Sequence, residues 1–374
     1  MKEAASAYLE RDLWDRLASC GKKIFLYGMG NGADKILGVA SARGIPVEGV
    51  FASDGFVRGH QFHGMRVTTW GEVKEVYGAE NVVVLLSFAS SLPEVIENIR
   101  RIAGEAELYV PDVPVFGDGL FDAAYARAHW EALEAAAALL SDEHSREIFW
   151  SVVGFRLSGR LEFLFKAWDC EEDREERLLC PGEIQTALDL GAYNGDSVRA
   201  LLGRICAAGG TPARIWAMEP DPRNYKKLAA YAENETRAEV IPVAAAAWSG
   251  SEELCFEVSG NRNASAGENR SGSLAERPRK VRTVQAMAPD EVLSGEAVDF
   301  IKYDVEGSER EALEGSRETI AGCSPLLAVS LYHRIEDLWQ IPLRIHESYP
   351  AYRSFSLRLP VGIPAWDLML YCRA

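Results

Sequence analysis

The chain has 374 residues, 48% of them hydrophobic and 26% charged, the composition of a globular protein with more chain than one ordinary core uses. Its formal net charge of −16, from 40 basic and 56 acidic residues, argues against nucleic acid or an anionic membrane as the main partner. The seven cysteines, at 20, 170, 180, 206, 255, 323 and 372, form no Cys-x-x-Cys pair, so neither a disulfide framework nor a zinc ribbon is expected.

The N-terminal stretch MKEAASAYLERDLWDRL reads as one amphipathic helix and lacks the apolar segment of a signal peptide. No uncharged run reaches the roughly 18 residues that a membrane span needs. The expected location is the cytoplasm, with no membrane span; the oligomeric state is left open. From residue 22 to 110 strand and helix signals alternate. KIFLYG (23–28), PVEGVFAS (46–53), NVVVLLSF (81–88) and AELYV (106–110) read as strands. GADKILGVASARG and SLPEVIENIRRI read as the intervening helices, the second with Pro near its start. This alternation predicts a Rossmann-like parallel sheet covered by helices, a domain over 1–115. Residues 120–170 read as all helix, with a helix start near Ser141, and contain no cluster that points to chemistry; a bridge between two domains is set at 116–180.

From 184 the alternation returns, predicting a second domain over 181–374. Its strands are IQTALDL, ARIWAMEP, AEVIPVAAAA, AVDFIKYD, PLLAVSLY, SFSLRL and DLMLYCRA. The polar segment 259–280 interrupts it, and a flexible flap over the acceptor site is expected there.

The stretch ALDLGAYNGDSVRALL carries the main functional signal. Asp189 ends a strand, Gly191 and Gly195 let a ligand approach the backbone, and a helix begins near Asp196 with free N–H groups. Glu219, followed by Asp221, ends the next strand, where an acid in a doubly wound sheet grips ribose hydroxyls. A dinucleotide site calls for Gly-x-Gly-x-x-Gly and a pyrophosphate at the helix end. Here the spacing is Gly-x-x-x-Gly between acids, which suits a cationic sulfonium, so S-adenosylmethionine fits better than NAD. Further along, VDFIKYDVEGSEREALEG sets Lys302, Asp304, Glu306 and Glu309 at and beyond a strand end, where either a ligand or a charged helix cap is expected, with Ser308 as the cap. His333, after Tyr332, is either a general base near neutral pH or a structural histidine.

Together, LDLGAYNGDSVRAL, AMEPDPRNYKKL, DFIKYDVEGSEREALEG and SLYHRIEDLWQIP, in that order, resemble the FkbM-type S-adenosylmethionine-dependent methyltransferases. The resemblance implies an α/β class I methyltransferase fold, a doubly wound sheet with an antiparallel last strand. It also implies methyl transfer to a hydroxyl on a sugar, glycan precursor or polyketide-like small molecule. Carried over, Asp189, Gly191, Tyr193, Gly195, Asp196, Glu219 and Asp221 look like cofactor contacts, and Lys302, Asp304, Glu306 and His333 like the catalytic face. His333 is then the expected base, with Asp304 orienting the acceptor; a divalent ion on Asp304 and Glu306 is the alternative.

In the first domain, Gly28-x-Gly30-x-x-Ala33 followed by Asp54 matches a dinucleotide fingerprint. The first domain is expected to be a scaffold or nucleotide-sugar docking unit that helps hold or place the acceptor; the competing readings are a nicotinamide-dependent sugar-modifying oxidoreductase working from the first domain, and a non-catalytic binding module. His60 and His63 have a metal-like spacing but no third ligand beside them.

Overall fold

The computed structural model describes the whole chain except residues 54, 56, 58, 60, 118, 170–172 and 258–280. Sixteen strands among the described residues fall into three sheets. The first sheet comprises β1 (Lys23–Tyr27), β2 (Gly49–Phe51), β3 (Gln61–Phe62), β4 (Met65–Thr68), β5 (Val82–Leu86) and β6 (Glu107–Tyr109). Their order is β3-β4-β2-β1-β5-β6, parallel except for β3. β5, VVVLL, is buried at every residue, as a central parallel strand covered on both faces must be. The hairpin β3–β4 and the helix Trp70–Tyr77 were not expected from sequence; the hairpin's short mixed stretch, QFHGMRVT over 61–68, carries too little apolar periodicity.

The expected N-terminal helix is two, Lys2–Ser6 and Leu13–Ala18. Asp12 breaks it: its carboxylate accepts from the Asp15 N–H, while the Asp15 side chain accepts from the Asp12 N–H, a reciprocal cap.

The second large sheet takes β7 (Thr186–Leu190), β8 (Arg214–Met218), β9 (Glu239–Val243), β13 (Phe300–Tyr303), β14 (Leu326–Ser330), β15 (Ser354–Arg358) and β16 (Met369–Arg373). The order is β15-β16-β14-β13-β7-β8-β9, with β16 antiparallel to both neighbours. Between them in sequence, β10 (Ala246–Ala247), β11 (Glu252–Glu257) and β12 (Val281–Met287) form a small separate sheet. AEVIPVAAAA, expected to be one strand, is thus split between two sheets. The expected flap, 259–280, lies outside the described residues; the antiparallel pair β11–β12 flanks it.

The helices between Ala123 and Leu179 are core rather than spacer. The longest, Glu143–Ser158, starts on Asp142, whose side chain accepts from the Ser145 N–H, and is buried on all sides from Ile148 onward. Phe149, Val152 and Phe155 belong to one apolar cluster with Tyr27 and Val84 of the first sheet and Leu188, Ile301 and Val329 of the second. The two sheets are thereby joined through a shared apolar interior.

Candidate functional site

β7 delivers Asp189 with its carboxylate buried beneath the sheet edge. One of its oxygens accepts from Ser197 Oγ, and the other lies 3.5 Å from Lys302 Nζ. The chain then turns through Gly191 and Tyr193, both at positive φ, and Gly195 caps the helix Asp196–Ala207. The fold itself needs both glycines. A Cβ on Gly191 would run into the Asp304 carbonyl oxygen, and one on Gly195 into the Tyr231 ring.

Glu219 follows β8 and is 6% exposed. Its two oxygens accept from the backbone N–H groups of Tyr193 (2.9 Å) and Asp221 (2.8 Å). Burial pushes its pKa up to about 7 in spite of those two bonds. Asp221 is fully buried and caps the helix Pro222–Ala232, accepting from the Arg223 and Asn224 N–H groups.

β13 and the loop after it supply Lys302, Asp304 and Glu306. Lys302 Nζ stands 3.2 Å from Asp304. Ser330 Oγ (2.9 Å) and the Tyr332 hydroxyl (3.1 Å) both donate to Asp304 Oδ1. Burial raises the Asp304 pKa, but the Lys302 and His333 cations outweigh it and hold the carboxyl well below the usual carboxylate range. Burial likewise lowers the Lys302 pKa, and Asp304 and Asp189 reverse that and lift it above its ordinary value. Glu306 sits at positive φ, and burial pushes its pKa up to about 7.

His333 is fully buried. Its Nδ1 lies 2.7 Å from Glu309, and its Nε2 lies 3.5 Å from Glu306 and 3.7 Å from Asp304. Burial works against its charge, yet Glu309, Asp304 and Glu306 lift its pKa to about 10. Set off the cavity wall and among three carboxylates, His333 is placed to pair with them as a cation, an arrangement that favours a positioning role over the expected one as base. Ser308, the expected cap of the helix Glu309–Gly315, donates its hydroxyl to the Val305 carbonyl instead; Glu309 is the group that accepts the Val305 N–H.

A cavity of about 820 Å³ opens at this edge, at the upper end of the roughly 300–1,000 Å³ usual for small-molecule sites. Gly191, Tyr193, Asp196, Glu219, Lys302, Asp304 and Glu306 line it. Asp189, Gly195, Asp221 and His333 are not on its wall; they support residues that are. Sequence reading missed Asn224, the pair Ala246–Ala247, the loop carrying Trp366 and Asp367, and Ala89–Ser91 of the first domain, all of which line the same space. For Ala89–Ser91 the available signal was their place just past the end of β5. For Ala246–Ala247, a short small-residue strand, there was none.

In the first domain Ser87 and Phe88 stand against Gly28, where the fingerprint leaves room for a pyrophosphate. Asp54 and His60 lie outside the described residues; His63 Nε2 contacts Asp34 at 2.6 Å. Among the described residues no group of three or more His, Cys, Asp or Glu is arranged to hold a metal, and no helix is long and apolar enough to cross a membrane.

A seven-stranded sheet with one antiparallel strand next to its end, and an acid-lined cavity at the carboxyl ends of its central strands, defines a class I methyltransferase fold. Residues 189–357 match the methyltransferase FkbM domain. The structure is similar to that of a methyltransferase FkbM from Methylobacillus flagellatus KT, with 20% identity, 99% of this chain and 97% of that chain covered, and a TM-score of 0.70. It is also similar, at a TM-score of 0.32 and 13% identity, to Aeropyrum pernix fibrillarin in complex with natively bound S-adenosyl-L-methionine, covering 53% of this chain and 74% of that one. An SAH-bound Podospora anserina methyltransferase, PaMTH1, gives a TM-score of 0.31 at 11% identity over 75% and 95% of the two chains. The chain matches no curated protein sequence.

Proposed function

We propose that the protein is an S-adenosylmethionine-dependent O-methyltransferase that acts on a hydroxyl of a small molecule or glycan precursor in the cytoplasm. The observation that carries this reading is the single cavity shared by Glu219 at one end and the Asp304–Glu306–Tyr332 group at the other. The donor set fits the cofactor. Glu219 is pinned by one backbone N–H on each oxygen, so each keeps a lone pair for a ribose hydroxyl. Asp196, Asp304 and Glu306 surround the same space with carboxylates suited to a sulfonium and an amino group. Gly191 and Tyr193 would line the cofactor from the turn, with Asp189, Gly195 and Asp221 holding that turn and its helices in place.

When bound, the cofactor supplies a methyl group on a sulfonium, whose loss leaves a neutral thioether. The residues must then align the acceptor hydroxyl and accept its proton. Alignment is the larger contribution. Asp304, ionised and fixed by Lys302, Ser330 and Tyr332, orients the hydroxyl. Glu306 accepts the proton: it lines the cavity, and its raised pKa matches the operating pH better than Asp304 does. His333 positions both carboxylates. Lys302 already neutralises Asp304, which favours this route over a divalent ion on the same pair.

Calorimetry with S-adenosylhomocysteine and with NAD comes first. Binding of the former with no binding of the latter is expected, and the reverse result would move the active site to the first domain. Labelled-methyl transfer to nucleotide sugars, glycolipid precursors and small alcohols then tests the hydroxyl assignment, and activity should persist in EDTA. Glu306→Gln should lower turnover by roughly 10²–10⁴-fold with little change in S-adenosylhomocysteine affinity. Near-wild-type turnover in that variant would remove Glu306 as the base.

A further inference from the structure

Two points of the first domain and its exit segment reach the cavity. One is Ala89–Ser91, just past the carboxyl end of β5; the other is Val115. Both are fastened to the second domain. Ser90 and Ile363 exchange both backbone hydrogen bonds, at 2.8 and 3.0 Å, as an antiparallel pair between the β5 loop and the β15–β16 loop. Val115 is held from both sides. Lys35 of the first domain donates to its carbonyl (2.8 Å), and the next residue, Phe116, donates its N–H to the His333 carbonyl (2.9 Å). The Phe116 ring lies against Gly307, with the Arg334 guanidinium 4.3 Å from its centre.

Strand order says which end of the cavity this wall closes. Glu219 leaves β8, whereas His333 follows β14 and Ile363 precedes β16. In the order β16-β14-β13-β7-β8, the first-domain contacts sit three and four strand steps from Glu219, or roughly 14 and 19 Å at the usual strand spacing. They stand instead beside Tyr332, Asp304 and Glu306. Both sheets thus turn a carboxyl edge, the ligand-binding edge of an open α/β sheet, toward one cavity from opposite sides.

We infer that the first domain forms the acceptor wall of the methyl-transfer site, with Ala89 and Ser91 as specificity-determining positions. This rests on the methyl-transfer reading above. It gives the first domain a role that needs no nucleotide of its own. Ser90 belongs to the interdomain fastening, whereas Ala89 and Ser91 are exposed and line the cavity.

The test uses the full chain with Ser91→Trp and, separately, Ala89→Trp. Each is assayed by calorimetry with S-adenosylhomocysteine and by labelled-methyl transfer to a panel of UDP-glucose, methyl α-glucopyranoside, glycerol 3-phosphate and benzyl alcohol. We expect S-adenosylhomocysteine affinity within about twofold of wild type in both variants. Acceptor kcat/KM should fall at least tenfold, or the preferred acceptor should shift to a smaller alcohol. Unchanged acceptor preference and kcat/KM in both folded variants would overturn the wall while leaving the methyltransferase reading intact. A comparable loss of S-adenosylhomocysteine affinity would also overturn it, by placing the wall at the cofactor end. Wild-type protein that binds S-adenosylhomocysteine but transfers methyl to no panel member would sink the hydroxyl reading itself.

Discussion

The two large sheets begin alike and end differently. Each has a first strand running into a glycine turn and a helix, Gly28-x-Gly30 after β1 and Gly191-x-x-x-Gly195 after β7. Over the first turn the space is filled with rings: Phe88 packs against Gly28 and edge-on to Tyr27, and Tyr27 stacks on Phe51. At the second turn the neighbours are charges: Asp189, Lys302, Asp304 and, behind them, His333 with Glu309. A glycine turn after a strand therefore says only that backbone comes close to something. What sets the second turn apart is the acid at the end of the following strand, Glu219, buried and anchored by two backbone N–H groups on the wall of the cavity.

The sharpest way to break this contrast is to remove the central cation. His333→Ala leaves Glu309, Glu306 and Asp304 without their shared counter-charge and should destabilise the protein by about 3–5 kcal/mol, read as a lower midpoint in urea unfolding. The wild-type protein carries the same signature in its pH dependence. The folded pKa of His333 is raised, to about 10, so its contribution is complete below the unfolded value near 6.5 and is lost as pH rises through 10. The unfolding midpoint should fall across that window, and the His333→Ala protein should show a flatter profile. A variant as stable as wild type, with the same slope, would mean the charges are not coupled as described.

Next in size is Glu219→Ala. Losing a charged acceptor costs roughly 1.5–3 kcal/mol of binding, or about tenfold or more in S-adenosylhomocysteine affinity. Because burial lifts its pKa to about 7, wild-type affinity should also rise between pH 6 and 8 as the carboxylate ionises, and Glu219→Gln should remove that rise. Calorimetry at three pH values decides it; affinity independent of both pH and substitution would take Glu219 out of the site.

The smallest effect belongs to the ring-filled edge. Phe88 is only partly buried, so Phe88→Ala should cost about 1–2 kcal/mol of stability and leave S-adenosylhomocysteine affinity unchanged. A marked loss of cofactor affinity would show that the first sheet does more at the cofactor end than its packing suggests.

Much of the second sheet was legible because its signals are local. Runs such as ALDL, RIWAM and LLAVS are mostly apolar, as strands covered on both faces must be, and a polar or ionisable residue that cannot stay in that interior unpaired stands near or just past the end of each: Asp189, Glu219 and Ser330. That alone put Asp189, Glu219, Asp304 and His333 at one edge of one sheet. Local pattern could not divide the wall of the cavity from its supports. Whether Asp189 or Asp304 faces the cavity depends on Lys302 and Ser197, and whether His333 is a base or a cation depends on Glu309, Glu306 and Asp304 arriving around it. The short strands β3, β4, β11 and β12 were missed for a related reason: their pairing partners, not their own periodicity, make them strands.

What the sequence determined by itself was the alternation of strand and helix and the residue types at strand ends, because both follow from burying apolar runs while keeping polar groups at the edges. Only the tertiary structure decided that one cavity would be closed by both domains. The contacts responsible, Ser90 with Ile363 and Phe116 with His333, are backbone hydrogen bonds between segments far apart in the chain. Any residue but proline can donate such a bond, so side-chain identity carries no trace of it. The same holds for the charge on His333. An imidazole is a base or a cation according to the electrostatics of its surroundings, and those surroundings exist only once the chain has folded.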